Sequence, residues 1–242
     1  MIATYINCIA IIVGAALGLL IGSHLKEQFK DVVFTASGLV TLVIGVKMAL
    51  ETQSLLVLLF SVVIGGFVGY ALKIEDAILS LGNWMERKTS RSKNGKEQIS
   101  ATTGSLFARG FLNSSVLFCS GAMAVVGSIA AGTKGDYNLI LIKSVMDGCM
   151  AIIFAAAYGP GVFASAIVVL IYQGFFTLAG SWISPLLGDA GLVELSAAGG
   201  LLLLMIGFSL VKIKEFKTGN FLPALILAPI FSKIAQWISS LT

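Results

Sequence analysis

The chain reads as an all-α, polytopic membrane bundle of about eight transmembrane helices, and three observations carry that reading. Of its 242 residues, 57% are hydrophobic and only 12% charged. Mean hydropathy is +0.96. A soluble domain carries about a quarter charged residues. The apolar residues fall into runs of about 20, the length that crosses the hydrocarbon as a helix. The 27 glycines sit largely inside those runs, as closely packed membrane helices allow.

Eight spans are expected, at roughly 3–23, 33–51, 54–73, 106–131, 138–158, 161–185, 193–212 and 220–240. The opening run MIATYINCIAIIVGAALGLLIGS has no Lys or Arg ahead of its apolar core, so it reads as a first span and not as a cleaved signal. The second and third spans join through a short turn at Glu51–Gln53. The fifth and sixth join through Gly159-Pro160. Between the third and fourth, residues 74–90 repeat Ile74, Ile78, Leu81 and Met85 at helical spacing beside Glu75, Asp76, Glu86 and Arg87. That pattern predicts an amphipathic helix on the inner membrane surface, with Trp84 at headgroup level. The RKTSRSKNGKEQ stretch that follows is a basic linker suited to anionic lipid.

Basic residues set the expected orientation. Lys26, Lys30, Lys73, Arg87, Lys88, Arg91, Lys93, Lys96, Arg109, Lys212, Lys214 and Lys217 all lie in loops of one side. Lys134 alone lies in a loop of the other, while Lys47, Lys143 and Lys233 fall within spans. Both termini are therefore expected on the extracytoplasmic side of the membrane. This placement accounts for the net charge of +4, and no motif supports nucleic-acid binding.

A repeat is visible. GLVTLVIG (38–45) resembles GLLLLMIG (200–207), an offset of 162 that also pairs Gly18 with Gly180, Ile21 with Ile183, Leu25 with Leu187 and Ala36 with Ala198. It relates spans 1–3 to spans 6–8 in opposite membrane directions, an inverted repeat of the kind that frames transporter sites. Chance similarity among Gly- and Leu-rich helices is the alternative. The implied units are a first three-helix repeat (1–73), a cytoplasmic amphipathic helix and linker (74–104), a central helix pair (105–158) and a second three-helix repeat (159–242).

The central pair carries the candidate site: Asn113, Ser114, Ser115, Lys143, Ser144 and Asp147, with Gln173 on the next span. At about 1.5 Å rise per residue, Asn113 lies about 10 Å and Asp147 about 13 Å inside their spans. Lys143 and Asp147 are four apart, on one helix face. An ionisable pair in hydrocarbon is costly and by default faces a wet interior, which suggests a proton- or cation-handling carboxylate with a competing lysine. A satisfied pair that only fixes helix packing is the other reading. Asn113-Ser114-Ser115 could mark a discontinuous helix, or a straight one with hydroxyls bonded back to their own carbonyls. Cys119, Met123, Met146, Cys149 and Met150 form a weaker soft-metal set, equally readable as packing residues.

Cys8, Cys119 and Cys149 show no CxxC spacing, and His24, the only histidine, closes the first span. No HExxH, GxSxG or phosphate-binding loop occurs, so neither an enzyme nor a cofactor is expected. GxxxG at Gly14/Gly18 and GGxxG at Gly65, Gly66 and Gly69 suit close contact within the chain or across a homodimer.

The run NSSVLFCSGAMAVVGSIAAG, then KSVMDG, then GPGVFASAIVVLIYQG, resembles the bacterial membrane family known as domain of unknown function 554, the YqgA/YdfK group. The resemblance covers essentially the whole chain. It implies an integral inner-membrane protein, with Asn113, Gly121, Met123, Gly127, Lys143, Asp147, Gly148, Gln173 and Gly174 belonging to the family's motifs. It carries no activity. From the residues themselves the expected partners are membrane lipid and a small solute or ion, as in a secondary carrier. A non-transporting module that binds lipid or a partner membrane protein is the alternative.

Overall fold

The computed structural model describes residues 1–24, 27–90, 106–119 and 121–239. Among them the chain is helical, without strands: α1 (Ile2–His24), α2 (Glu27–Ala49), α3 (Leu55–Leu72), α4 (Ile74–Ser90), α5 (Leu106–Cys119), α6 (Ala122–Thr133), α7 (Asn138–Tyr158), α8 (Gly161–Leu210), a 3-10 turn (Thr218–Phe221) and α9 (Pro223–Ser239). The 50-residue α8 is two spans. Pro185 lies within it, and Gly188 adopts φ 64, ψ 167, a region essentially reserved for glycine. Its halves, Gly161–Ile183 and Leu187–Leu210, are each long and apolar enough to cross a membrane.

Seven such helices occur among the described residues. The pair α5 and α6, bent by 60°, makes an eighth crossing if it is one span. The second and seventh spanning helices begin earlier than the expected 33 and 193, at Glu27 and at Leu187, and acids near their starts are partnered. Asp31 meets Lys212 at 2.5 Å, and the Glu194 carboxylate is held by three donors. α4 forms as expected. Its start is tied to the 3-10 turn: Glu75 N–H donates to Asn220 Oδ1 (2.9 Å), and the Glu75 carboxylate accepts from Gly219 N–H (2.9 Å). Burial there pushes the Glu75 carboxyl above its usual range. Trp84 is 57% exposed, as an interfacial anchor requires. The basic linker lies outside the described residues.

Packing follows small residues, since lipid offers no hydrophobic drive between helices. α1 runs parallel to α7, with Gly14 against the Gly148 carbonyl and Gly18 against that of Ile152. α2 runs antiparallel to the second half of α8, Gly38 meeting Gly207 and Gly45 meeting Gly200. α3 lies against α9, its Gly65 on Ala224 and Gly69 on Asn220. Both glycine motifs are therefore filled from within the chain. The core sits between α1, α5, α7 and α8, where Ile11, Phe118, Phe154, Val162, Val169, Leu202 and Leu203 are fully buried.

The polar contacts outside the core gather at the two ends of the bundle. At one end, Glu194 accepts from Thr52 Oγ1 (2.7 Å), Gln53 N–H (2.8 Å) and Ser54 N–H (3.0 Å), where Ser54 caps α3. Ser196 donates to Glu51 beside it (3.1 Å). At the other, Arg109 grips Glu215 through both nitrogens, at 3.0 and 3.2 Å, and holds its carboxyl below the usual range. Glu194 is nearly fully buried. Glu194→Ala strands two amides at the α3 N-terminus, and we expect it to destabilise the protein by about 2–3 kcal/mol. Thermal unfolding of the purified variant in detergent measures this, against an Asp31→Ala control at the exposed pair, expected to cost under about 1 kcal/mol.

Candidate functional site

Halfway along α7, Lys143, Ser144 and Asp147 turn into the bundle. Lys143 and Asp147 are 6% and 5% exposed, and Lys143 Nζ donates to both carboxylate oxygens at 2.7 Å. From α1, Asn7 Nδ2 donates to Asp147 Oδ2 at 3.0 Å. Asn7 is wholly buried, and its Oδ1 has no hydrogen-bond partner. Three more buried side-chain atoms among the described residues share that condition: Ser115 Oγ on α5, and Oε1 and Nε2 of Gln173 on α8.

Two of these residues lie together. Thr4 Oγ1 of α1 meets Thr177 Oγ1 of α8 at 3.4 Å, and Thr177 donates back to the Gln173 carbonyl. Asn7 lies three residues past Thr4, and Gln173 four residues before Thr177, on helices running in opposite directions. Both amides therefore sit about one turn deeper than the threonine contact, at about the same level. Ser115 is about one turn short of Cys119, the residue of α5 in electrostatic reach of Lys143, Asp147 and Cys8. The site is thus an ion pair held by one amide, whose own oxygen makes no bond, with the unbonded Gln173 amide at the same depth. An apolar groove lined by Leu55, Leu58, Leu59, Val62, Val63 and Leu201 lies on α3 and α8, away from the pair.

Several expected members take other roles. Asn113 donates to Tyr158 Oη at 2.8 Å, and Tyr158 is about 16 Å along α7 from Asp147, so Asn113 stands outside the cluster. Ser114 bonds back to the Gly110 carbonyl and Ser144 to that of Ile140, as hydroxyls in apolar helices do. The central span does break, but not at 113–115, which are helical. The break falls at Gly121, whose φ −86 and ψ 144 are extended. The sulfur set does not converge: Met146 is 52% exposed and Cys149 exposed, while Cys119 is buried. No group of three or more His, Cys, Asp or Glu suited to a metal forms among the described residues.

Sequence reasoning missed Asn7. A lone amide between Tyr5 and Cys8 in an otherwise oily span was the available signal, with Thr4 on the same face. Attention to the central pair hid it, because its partner is 140 residues away.

Residues 2–233 match the family described as Protein of unknown function (DUF554). The chain belongs to that family. It is 28% identical over 236 residues to the Uncharacterized membrane protein YdfK of Bacillus subtilis (strain 168), covering 95% of each chain. It is 29% identical over 241 residues to the Uncharacterized protein YqgA of Escherichia coli (strain K12), covering 98% of this chain and 99% of that one. No solved structure matches. With its apolar helices, the family places the chain among membrane proteins.

A buried pair is more costly to break than to replace. Lys143→Met, which leaves Asp147 without its ammonium, is expected to destabilise by about 3–5 kcal/mol, whereas Lys143→Met with Asp147→Leu recovers most of that loss. A double-mutant cycle on thermal unfolding in detergent measures the coupling; additive single effects would mean that the two residues do not act as a pair.

Proposed function

We propose that the protein is a secondary carrier of a small solute or ion, with its site at the Lys143–Asp147 pair between α1, α5, α7 and α8. One observation carries this reading. Asn7 Oδ1, next to a mid-span ion pair, and both polar atoms of Gln173, level with it, are buried without partners. In hydrocarbon each unmet group costs free energy comparable to several hydrogen bonds in water, and such groups are retained where something else binds them.

Alternating access is supported by how the two halves meet. Under the 162-residue offset Gly38 corresponds to Gly200, and Gly45 to Gly207. The contacts join Gly38 to Gly207 and Gly45 to Gly200, each the other's image under a two-fold exchange of the halves. Glu194 at the start of one half's helix holds the turn after α2, and Asp31 at the start of α2 holds Lys212 after α8. An inverted repeat accounts for both. Asp147 is the proton-handling group in this scheme, and no enzymatic step is proposed. In proteoliposomes, solute uptake driven by a pH gradient should occur with the native chain, and Asp147→Asn should abolish its pH dependence and cut its rate at least about tenfold. Unchanged rate and pH profile in that variant would remove Asp147 from coupling.

A membrane module that binds lipid or a partner protein is the second reading, favoured by the fully paired Lys143–Asp147 contact. Absence of flux for every solute tried, with specific lipid retained on α4 and its linker, would support it. In either case the chain sits in a bacterial cytoplasmic membrane with both termini outside. Single cysteines at Thr52 and at Lys214, in a background lacking Cys8, Cys119 and Cys149, should be labelled by impermeant maleimide from outside and from inside respectively.

A further inference from the structure

Net charge decides what the site can hold. Lys143 and Asp147 cancel one another, and the amides placed with them, Asn7 and Gln173, are neutral. A lone cation taken by Asp147 strands the buried Lys143 ammonium without its counter-charge. A lone anion taken by Lys143 strands the carboxylate. Either leaves an uncompensated buried charge, the most expensive arrangement available. A ligand that carries both signs leaves the sum at zero, and each protein charge exchanges one partner for another.

The bonding inventory points the same way. An ammonium has three donors and no acceptor, whereas a carboxylate only accepts. The acceptors in the cluster are the Asp147 carboxylate, Asn7 Oδ1 and Gln173 Oε1; the donors are the Lys143 ammonium, Gln173 Nε2 and Asn7 Nδ2. That is three acceptors for an ammonium and three donors for a carboxylate. All except the pair's own contacts and the Asn7–Asp147 bond are unused in the closed site. Gln173 supplies one atom to each set. Its amide oxygen and nitrogen are held close by covalent geometry, which suits ligand charges only two or three bonds apart.

We propose that the site binds a small zwitterion of the α-amino acid class, the ligand's ammonium and carboxylate replacing the internal Lys143–Asp147 contact. The proposal rests on the reading of this cluster as a binding site, but not on transport. No covalent step is involved, and the protein's net charge does not change on binding.

The test is thermal unfolding of the purified full-length protein in detergent at constant ionic strength, with each of the twenty standard α-amino acids added singly. At about tenfold its Kd, a bound amino acid raises the midpoint by roughly 3–6 °C. The N-acetyl and methyl-ester forms of the active amino acid, each missing one charge, are expected to give no shift. Gln173→Leu, which leaves the ion pair intact, is expected to unfold near the native temperature and to lose the shift. An equal shift from either blocked form, or from sodium or acetate alone, overturns the zwitterion assignment, as does no shift from any amino acid. Radiolabelled flux in proteoliposomes separates this from the carrier reading. A shift without flux leaves the zwitterion site standing and removes transport. Flux of another solute without any amino acid shift leaves transport standing and overturns the ligand class.

Discussion

Hydrocarbon provides no hydrogen bonds, and the fate of each polar group in the spans follows from that constraint. Most solve it locally. The hydroxyls of Ser37, Thr41, Ser61, Ser114, Ser128 and Ser144 each donate to the carbonyl four residues back, so these residues sit in apolar helices without a neighbour's help. An amide or an ionised group has no such local answer. Lys143 and Asp147 answer one another, Asn7 answers Asp147 with one end only, and Gln173 has no answer at all. The two unmet amides lie at one depth of the bundle, with the ion pair.

The same constraint shapes the scaffold around the site. Because helix association in lipid relies on contact and not on water exclusion, the tightest approaches run through glycines. α1 is drawn onto α7 at Gly14, Gly18 and Gly148, which brings Asn7 within reach of Asp147. The break at Gly121 and the break around Pro185 and Gly188 redirect the chain inside the bundle. At the second of these, Lys233 of α9 donates to the freed carbonyl of Pro185 at 3.1 Å. A buried carboxylate holds each end: Glu194 with three donors at one, and Glu75 on the Gly219 N–H at the other, where an exposed ion pair and an arginine fork add to it.

Much of the architecture could be read from the residues alone. Length and hydropathy of apolar runs respond to bilayer thickness, a one-dimensional constraint, and so the spans, both short turns and the amphipathic α4 were visible in order. The Lys143–Asp147 pair was equally visible, because i,i+4 spacing on one helix is local geometry. Of the expected site residues, Lys143 and Asp147 meet, and Gln173 lies level with Asn7. Asn113, Ser114 and Ser144 find partners elsewhere, a tyrosine at the far end of α7 and their own backbone, choices that spacing does not reveal.

What the order of residues could not convey was which faces meet. Asn7 and Asp147 are 140 positions apart, and Thr4 and Thr177 are 173 apart. Their meeting depends on glycines admitting close approach and on the side from which α1 reaches α7. Likewise, only the packed bundle turns Met146 and Cys149 outward and buries Cys119, dissolving a sulfur cluster that had looked reasonable on paper. Thickness of the membrane and the helical period act along the chain and leave their trace in it. The orientation of one helix about its axis against another is a balance of many small contacts across the bundle, and it exists only once all of them are made.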